Sequence, residues 1–190
     1  GWRDAIALLQ GAGVPLLDDT ADGSAGSGLM HHKFVVIDRQ RVLTGSANFT
    51  SSGLHGDAGL NGSRGNVNHL LQLESPELAE LFATEFGQLW GDGPGGVPDS
   101  RFGLSKHSRQ LQQAQLGSDR ASVLFAPHRR DDPDHGLELI RQQLEQAQRS
   151  IDLALFVFSA QELADVLALK RDQGVQIRVL VDPGFAHRSY

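Results

Sequence analysis

The segment from residue 151 to 181 constrains the fold more than any other. Residues 151–158 form a nearly continuous apolar run of strand length, as expected for a strand buried on both faces. Leu163, Val166, Leu167 and Lys170 then keep helical spacing up to Gly174, behind Ser159 and Glu162 in a capping-box pattern. Val175, Ile177, Val179 and Val181 alternate as a second strand. Two strands separated by a helix of this length predict parallel pairing through a right-handed crossover, and with it the α/β class. Leu137, Ile140, Leu144 and Ala147 mark a further helix ahead of them.

The bulk composition agrees with a folded protein. In 190 residues, 39% apolar and 21% charged, there is material for one domain or two small ones. The chain has no cysteine, which excludes a disulfide framework, a thiolate nucleophile and a thiolate metal site. Its longest apolar stretch, residues 153–158, is far short of the about 20 residues that a membrane-spanning helix needs. A net charge of -6 argues against indiscriminate coating of nucleic acid, yet residues 101–130 hold six Lys or Arg against one acid, Asp119. No leader pattern precedes the first helix, and the last strand runs only into a short turn, so the chain reads as an internal piece of a longer protein.

Toward the N-terminus, Ala5, Leu8 and Leu9 predict a helix that Gly11 and Gly13 stop before a short strand at 14–17. A Gly-, Ser- and Asp-rich loop covers 18–28. Strands follow at 34–37 and 42–43, then a long polar loop over 45–65, then a strand at Leu70, Leu71 and Leu73. Ser75 and Pro76 open a helix as cap and first residue, with Leu78, Leu81, Phe82, Phe86, Leu89 and Trp90 as its buried stripe. Residues 91–120, rich in Gly, Pro and Gln, read as a linker. Their glycines lack the Lys-Ser/Thr ending of a phosphate-binding loop.

Chemistry concentrates at His31, Lys33, Asp38, Gly45, Ser46 and Asn48, an H-x-K-x4-D-x6-G-S-x-N pattern. Six fixed residues arise by chance on the order of 10⁻⁸ times per starting position under average usage. On an extended strand His31 and Lys33 project from one face while His32 and Phe34 point to the other. A neutral imidazole can attack phosphorus in line, and an adjacent ammonium can neutralise the nonbridging oxygens as charge develops. The Gly45-Ser46 turn and the Asn48 amide can donate to the same oxygens. His32 is better read as a packed or hydrogen-bonded histidine than as a second reacting one. His31, His32, His55 and His69 show no zinc-site spacing, so neither a metal nor any other cofactor is expected.

The pattern resembles the HKD signature of the phospholipase D superfamily. The resemblance implies a mixed β-sheet flanked by helices and a two-step phosphodiesterase mechanism through a phosphohistidine on His31. It implies catalytic roles for His31, Lys33 and Asp38, the last orienting or structural, and phosphate binding by Lys33, Ser46 and Asn48. A second histidine must protonate the leaving group, and titration of imidazole near pH 6.5 makes the pairing feasible. No second H-x-K-x4-D occurs in the chain. Residues 1–90 therefore resemble the closing half of one family repeat and 121–190 the opening half of another, with 91–120 between them. The second HKD half is expected from beyond residue 190 or from a homodimer partner. Where the family often carries an N-x-E glutamate that orients the nucleophilic histidine, Asn66-Val67-Asn68 stands here, so Asn68 takes the place of a charged group.

The resemblance implies a phospholipase D-type enzyme that hydrolyses or transfers phosphatidyl groups, with a phospholipid headgroup as partner and peripheral membrane contact. The alternatives are an endonuclease cleaving DNA or RNA, which would need a basic groove with stacking aromatics, and a noncatalytic phosphate-binding module. One tyrosine, two tryptophans and the acidic balance favour lipid.

Overall fold

A computed structural model describes residues 4–20, 30–56 and 59–186. The loop read at 18–28 lies outside them from residue 21 onward. The chain divides into two compact units, Gly1–Pro127 and His128–Tyr190. Both are α/β, and their strands form three small sheets among the described residues.

In the first unit, α1 (Ala5–Gly11) is capped by Asp4, whose carboxylate accepts from the Ile6 and Ala7 amides. Residues 14–17 join no sheet; Pro15 offers no amide to a ladder, and the expected strand is absent. Strands β1 (Phe34–Ile37), β2 (Arg41–Gly45) and β3 (Leu70–Glu74) form an antiparallel meander with β2 in the centre. A single turn, α2 (Ser51–Leu54), lies in the long loop and is capped by Thr50. Helix α3 (Pro76–Trp90) starts where Ser75 and Pro76 predict, with the Ser75 hydroxyl accepting from the Leu78 amide.

One face of α3 closes the core. Leu78, Ala79 and Phe82 pack with Val42, Ala114 and Phe125, flanked by Phe34, Val36 and Leu73. Full burial of a side chain such as Leu78 or Val42 contributes about 1.5–3 kcal/mol. Of the expected stripe Leu78, Phe82 and Leu89 are buried, joined by Ala79 and Glu85, whereas Phe86 is half exposed and stacks on Trp90 outside the core. The i, i+4, i+7, i+11 spacing from Leu78 carries the stripe through Glu85 and past Phe86.

Residues 91–120 are not a bare linker. Phe102, Lys106 and Ala114 are buried, and β4 (Gln112–Leu116) pairs with β5 (Asp119–Val123) in an antiparallel hairpin whose Ala114 enters the core. The Ser75 hydroxyl donates to the Gln115 carbonyl, and the Gln115 amide donates to Glu77, so hairpin and α3 hold each other. Polar glutamines conceal this strand from a hydrophobicity reading because only Ala114 is fully buried in it.

The second unit contains α4 (Gly136–Gln146), β6 (Ser150–Leu155), α5 (Gln161–Asp172) and β7 (Gln176–Val181). β6 and β7 pair in parallel from Ser150↔Gln176 to Leu155↔Val181, as the strand–helix–strand pattern predicts. Ile151, Leu167 and Val175 form its core with Leu144, Leu153 and Ile177 beside them. The capping box does not form: the cap of α5 is Ala160, with no side-chain hydrogen bond.

Candidate active site

His31 and Lys33 come together on one side of the chain entering β1. The Lys33 ammonium donates to the His31 carbonyl at 2.7 Å and lies 3.3 Å from His31 Nδ1. His32 turns the opposite way, placing Nε2 3.0 Å from Glu85 Oε1 and its ring 5.4 Å from Phe34. The alternation expected of extended chain therefore holds for residues 31–33, although the ladder itself begins only at the Phe34↔Thr44 pair. An ammonium has donors only. Beside it, Nδ1 of a neutral His31 carries the lone pair and Nε2 the proton.

Gly45 is required by close packing of strands. A Cβ there would stand 2.2 Å from the His69 carbonyl oxygen on β3's side, so no side chain fits without parting the two strands. The next residue is committed on both donors. The Ser46 amide donates to the His69 carbonyl, its hydroxyl donates to Asn68 Oδ1 at 2.9 Å, and Ser46 Oγ accepts from the His69 amide. Asn68 Nδ2 in turn donates to the Gly53 carbonyl at 2.9 Å, which fixes the orientation of the Asn68 amide because a carbonyl can only accept. Ser46 thus ties the motif turn to residues 53 and 68–69, and Asn68 braces Ser46. Asn48 is exposed, with an amide free of protein partners among the described residues.

Asp38 stands apart from this group. It occupies the β1–β2 turn with φ +54°, followed by Arg39 at the same angle, and its carboxylate is 77% exposed, 3.7 Å from Arg41. The four residues of β1 separate it from Lys33 by about 17 Å of extended chain. Asp is among the residues that tolerate the left-handed region, so the turn accommodates it, and the structure does not bring it together with His31.

Beside His31 a cavity of about 290 Å³ opens, lined by His31, His32 and Lys106 with Leu89, Phe102 and Pro127 as apolar wall. Beneath it lies a charged cluster that the sequence reading misses. Glu85 has no exposed side-chain surface and faces His32, Lys106 and Arg109. Burial by itself pushes its carboxyl up, but hydrogen bonds from His32 and Lys106, with their charges, hold it below the ordinary carboxylate value. The detectable signal is a carboxylate on the apolar stripe, seven residues after Leu78 and three after Phe82. Among the described residues no three His, Asp or Glu side chains are grouped to hold a metal ion.

Comparison with known proteins matches residues 2–90 to the family described as "Cardiolipin synthase, PLD-like domain". Mitochondrial cardiolipin hydrolase of Mus musculus is 32% identical over 85 residues, 45% of this chain and 32% of that protein. The protein of the same name from Homo sapiens is 32% identical over 85 residues, again 45% of this chain and 28% of that protein, and the Xenopus laevis one 33% over 85 residues, 45% and 34%. The chain spans about a third of the length of these curated relatives. No solved structure matches it. The spacing of the motif, the α/β architecture around it and the family match lead to one assignment, made for that segment: residues 2–90 are similar to the PLD-like domains of the phospholipase D superfamily.

Proposed function

We propose that the chain carries half of a phospholipase D-type phosphodiesterase site acting on a phosphatidyl substrate, with His31 as nucleophile. The observation that supports this most is the Lys33–His31 pair, an ammonium within 3.3 Å of the reacting imidazole on an exposed surface beside a cavity. A phosphodiester draws the Lys33 ammonium onto its nonbridging oxygens, and Asn48 donates beside it. Once Lys33 leaves Nδ1, the ring proton can reside there and Nε2 gains the lone pair. The Nε2–P bond then forms as the P–O bond to the leaving group breaks, with the proton for that oxygen coming from a second imidazole. Water reverses the sequence: its oxygen attacks phosphorus, the N–P bond breaks, and the second imidazole takes the water proton. His32 cannot be that second imidazole, because Glu85 holds it on the other side. A second copy of the motif, from another part of a longer chain or from a second copy of this one, supplies it.

Lipid is favoured over nucleic acid by what surrounds the motif. Met30, Phe49 and Val67 adjoin His31, Asn48 and Asn68 in sequence and are exposed, as are Leu54 and Leu60 in the same loop. Such apolar side chains suit the boundary of a lipid surface. The basic strip that would serve a polynucleotide loses Lys106 and Arg109 to Glu85.

The test is a covalent trap. Incubation with a phosphatidyl substrate and an alkaline quench, which preserves phosphoramidates, should leave a phosphoryl adduct on the parent and none on His31→Asn. Where turnover is measurable, that variant should lose about 10²–10⁴-fold. An equal adduct on both proteins would overturn the assignment, and an adduct formed only from an oligonucleotide would move the substrate to nucleic acid.

A further inference from the structure

Glu85 is fully buried, and the chemistry above gives it no task. Three groups converge on it: His32 Nε2 and Lys106 Nζ each lie 3.0 Å from Oε1, and Arg109 Nη1 lies 3.5 Å from Oε2. Lys106, with a side chain 1% exposed, also donates to the Phe125 and Ala126 carbonyls, and Arg109 to the Leu81 carbonyl and the Gln112 amide oxygen. Two permanent cations already outnumber the single carboxylate, so charge balance needs nothing from His32. A proton on Nε2 makes the hydrogen bond in either charge state of the ring. Buried ion networks of this kind are weak sources of stability compared with apolar packing, which leaves the histidine wanting a local reason.

That reason lies in its chain neighbours. The ladder begins at Phe34, so sheet register alone does not settle which way residues 31–33 face. The side chain between the two reacting residues is clamped by its hydrogen bond to Glu85 and by the rings of Phe34 and Phe125, 5.4 and 6.0 Å away. We propose that His32 is a positioning residue: its Nε2–H···Glu85 hydrogen bond, seated on Lys106 and Arg109, fixes the rotation of residues 31–33 so that His31 and Lys33 share the open side. The functional meaning rests on the phosphodiesterase reading above, whereas the geometric claim has its own readout.

The full chain is labelled with ¹⁵N-histidine, and the His31 ring is observed by long-range ¹H–¹⁵N NMR near neutral pH in the parent, His32→Gln and His32→Phe. Gln keeps a side-chain N–H donor; Phe keeps a ring against Phe34 and Phe125 and removes the donor. The parent and His32→Gln should give one His31 signal with Nδ1 as acceptor and Nε2 protonated. His32→Phe should give averaged tautomers while the Val42 and Leu78 amides stay in place. Turnover should follow, with kcat down about 10- to 100-fold in His32→Phe at little change in KM, and largely rescued in His32→Gln. A parent-like His31 signal in His32→Phe overturns the proposal. So does a shift of the core amides, which would make the bond structural, or equal failure of both variants with the core intact. A His31→Asn protein as active as the parent would instead defeat the phosphodiesterase reading, and the ring signal would still decide the positioning claim.

Discussion

Lys33 lies 3.3 Å from His31 Nδ1, and Ser46 is a motif residue whose amide and hydroxyl both bond within the loop. Both donors of Ser46 go to residues 68–69. Ser46→Ala should therefore act mainly through stability, lowering it by about 0.5–1.5 kcal/mol for the lost hydrogen bonds, with KM for the phosphodiester nearly unchanged. Urea melts and steady-state kinetics on the same preparation separate the two effects. A large rise in KM without loss of stability would return Ser46 to the phosphate. Gly45→Ala is the harsher neighbour: its methyl would meet a backbone oxygen, which cannot rotate away as a side chain would, and a loss of about 1–3 kcal/mol or more is expected from the forced separation of β2 and β3.

At the scale of elements, α3 carries both the core and the charged cluster. The Glu85 carboxyl titrates below its ordinary value because its hydrogen bonds to His32 and Lys106 outweigh the upward push of burial. A depressed carboxylate contributes stability that is present above its unfolded pKa, about 4.3, and is lost as pH falls through the lower folded value. Glu85→Gln should be less stable than the parent near neutrality by about 3–5 kcal/mol, since it leaves buried cations without their counterion. The two stability curves should then approach each other below about pH 4. Denaturant melts across this range check it, and parallel curves would show that Glu85 is not the group being titrated. This cluster also marks where sequence reading stops. His31 and Lys33 are legible because period-two alternation and motif spacing act within three residues. Helix α3 and the β6–α5–β7 unit are legible because Ser75, Pro76 and the apolar periods are local. The Ser46–Asn68 and His32–Glu85 contacts join residues 22 and 53 apart, and no local period encodes a pairing made by the fold. The hairpin of β4 and β5 hides for a related reason: its strands are polar because they flank the core with a single buried alanine.

For the whole molecule, the unequal cores of the two units set the order of unfolding. Gly1–Pro127 buries Val42, Leu78, Phe82, Leu89, Phe102 and Phe125 among others, and joins a three-stranded meander, α3 and a hairpin around them. His128–Tyr190 buries Ile151, Leu163, Leu167 and Val175 under a two-stranded parallel sheet, with Leu155, Phe156, Val179 and Leu180 exposed. Two strands seldom give a stable sheet alone, and parallel sheets ordinarily have both faces covered. The exposed strands of β6 and β7 are accordingly a surface on which association can begin. Hydrogen exchange followed by mass spectrometry in increasing denaturant should therefore show amides of β6 and β7 losing protection first, and those of β2 and α3 holding to higher concentration. Within the second unit the bidentate Arg178–Asp152 pair, at 2.7 Å on both arms, does little to change this order, because both side chains are exposed and solvent screens such a pair. Simultaneous loss of protection at Leu167 and Phe82 would contradict the ordering and require that the smaller core draw stability from something other than its own buried residues.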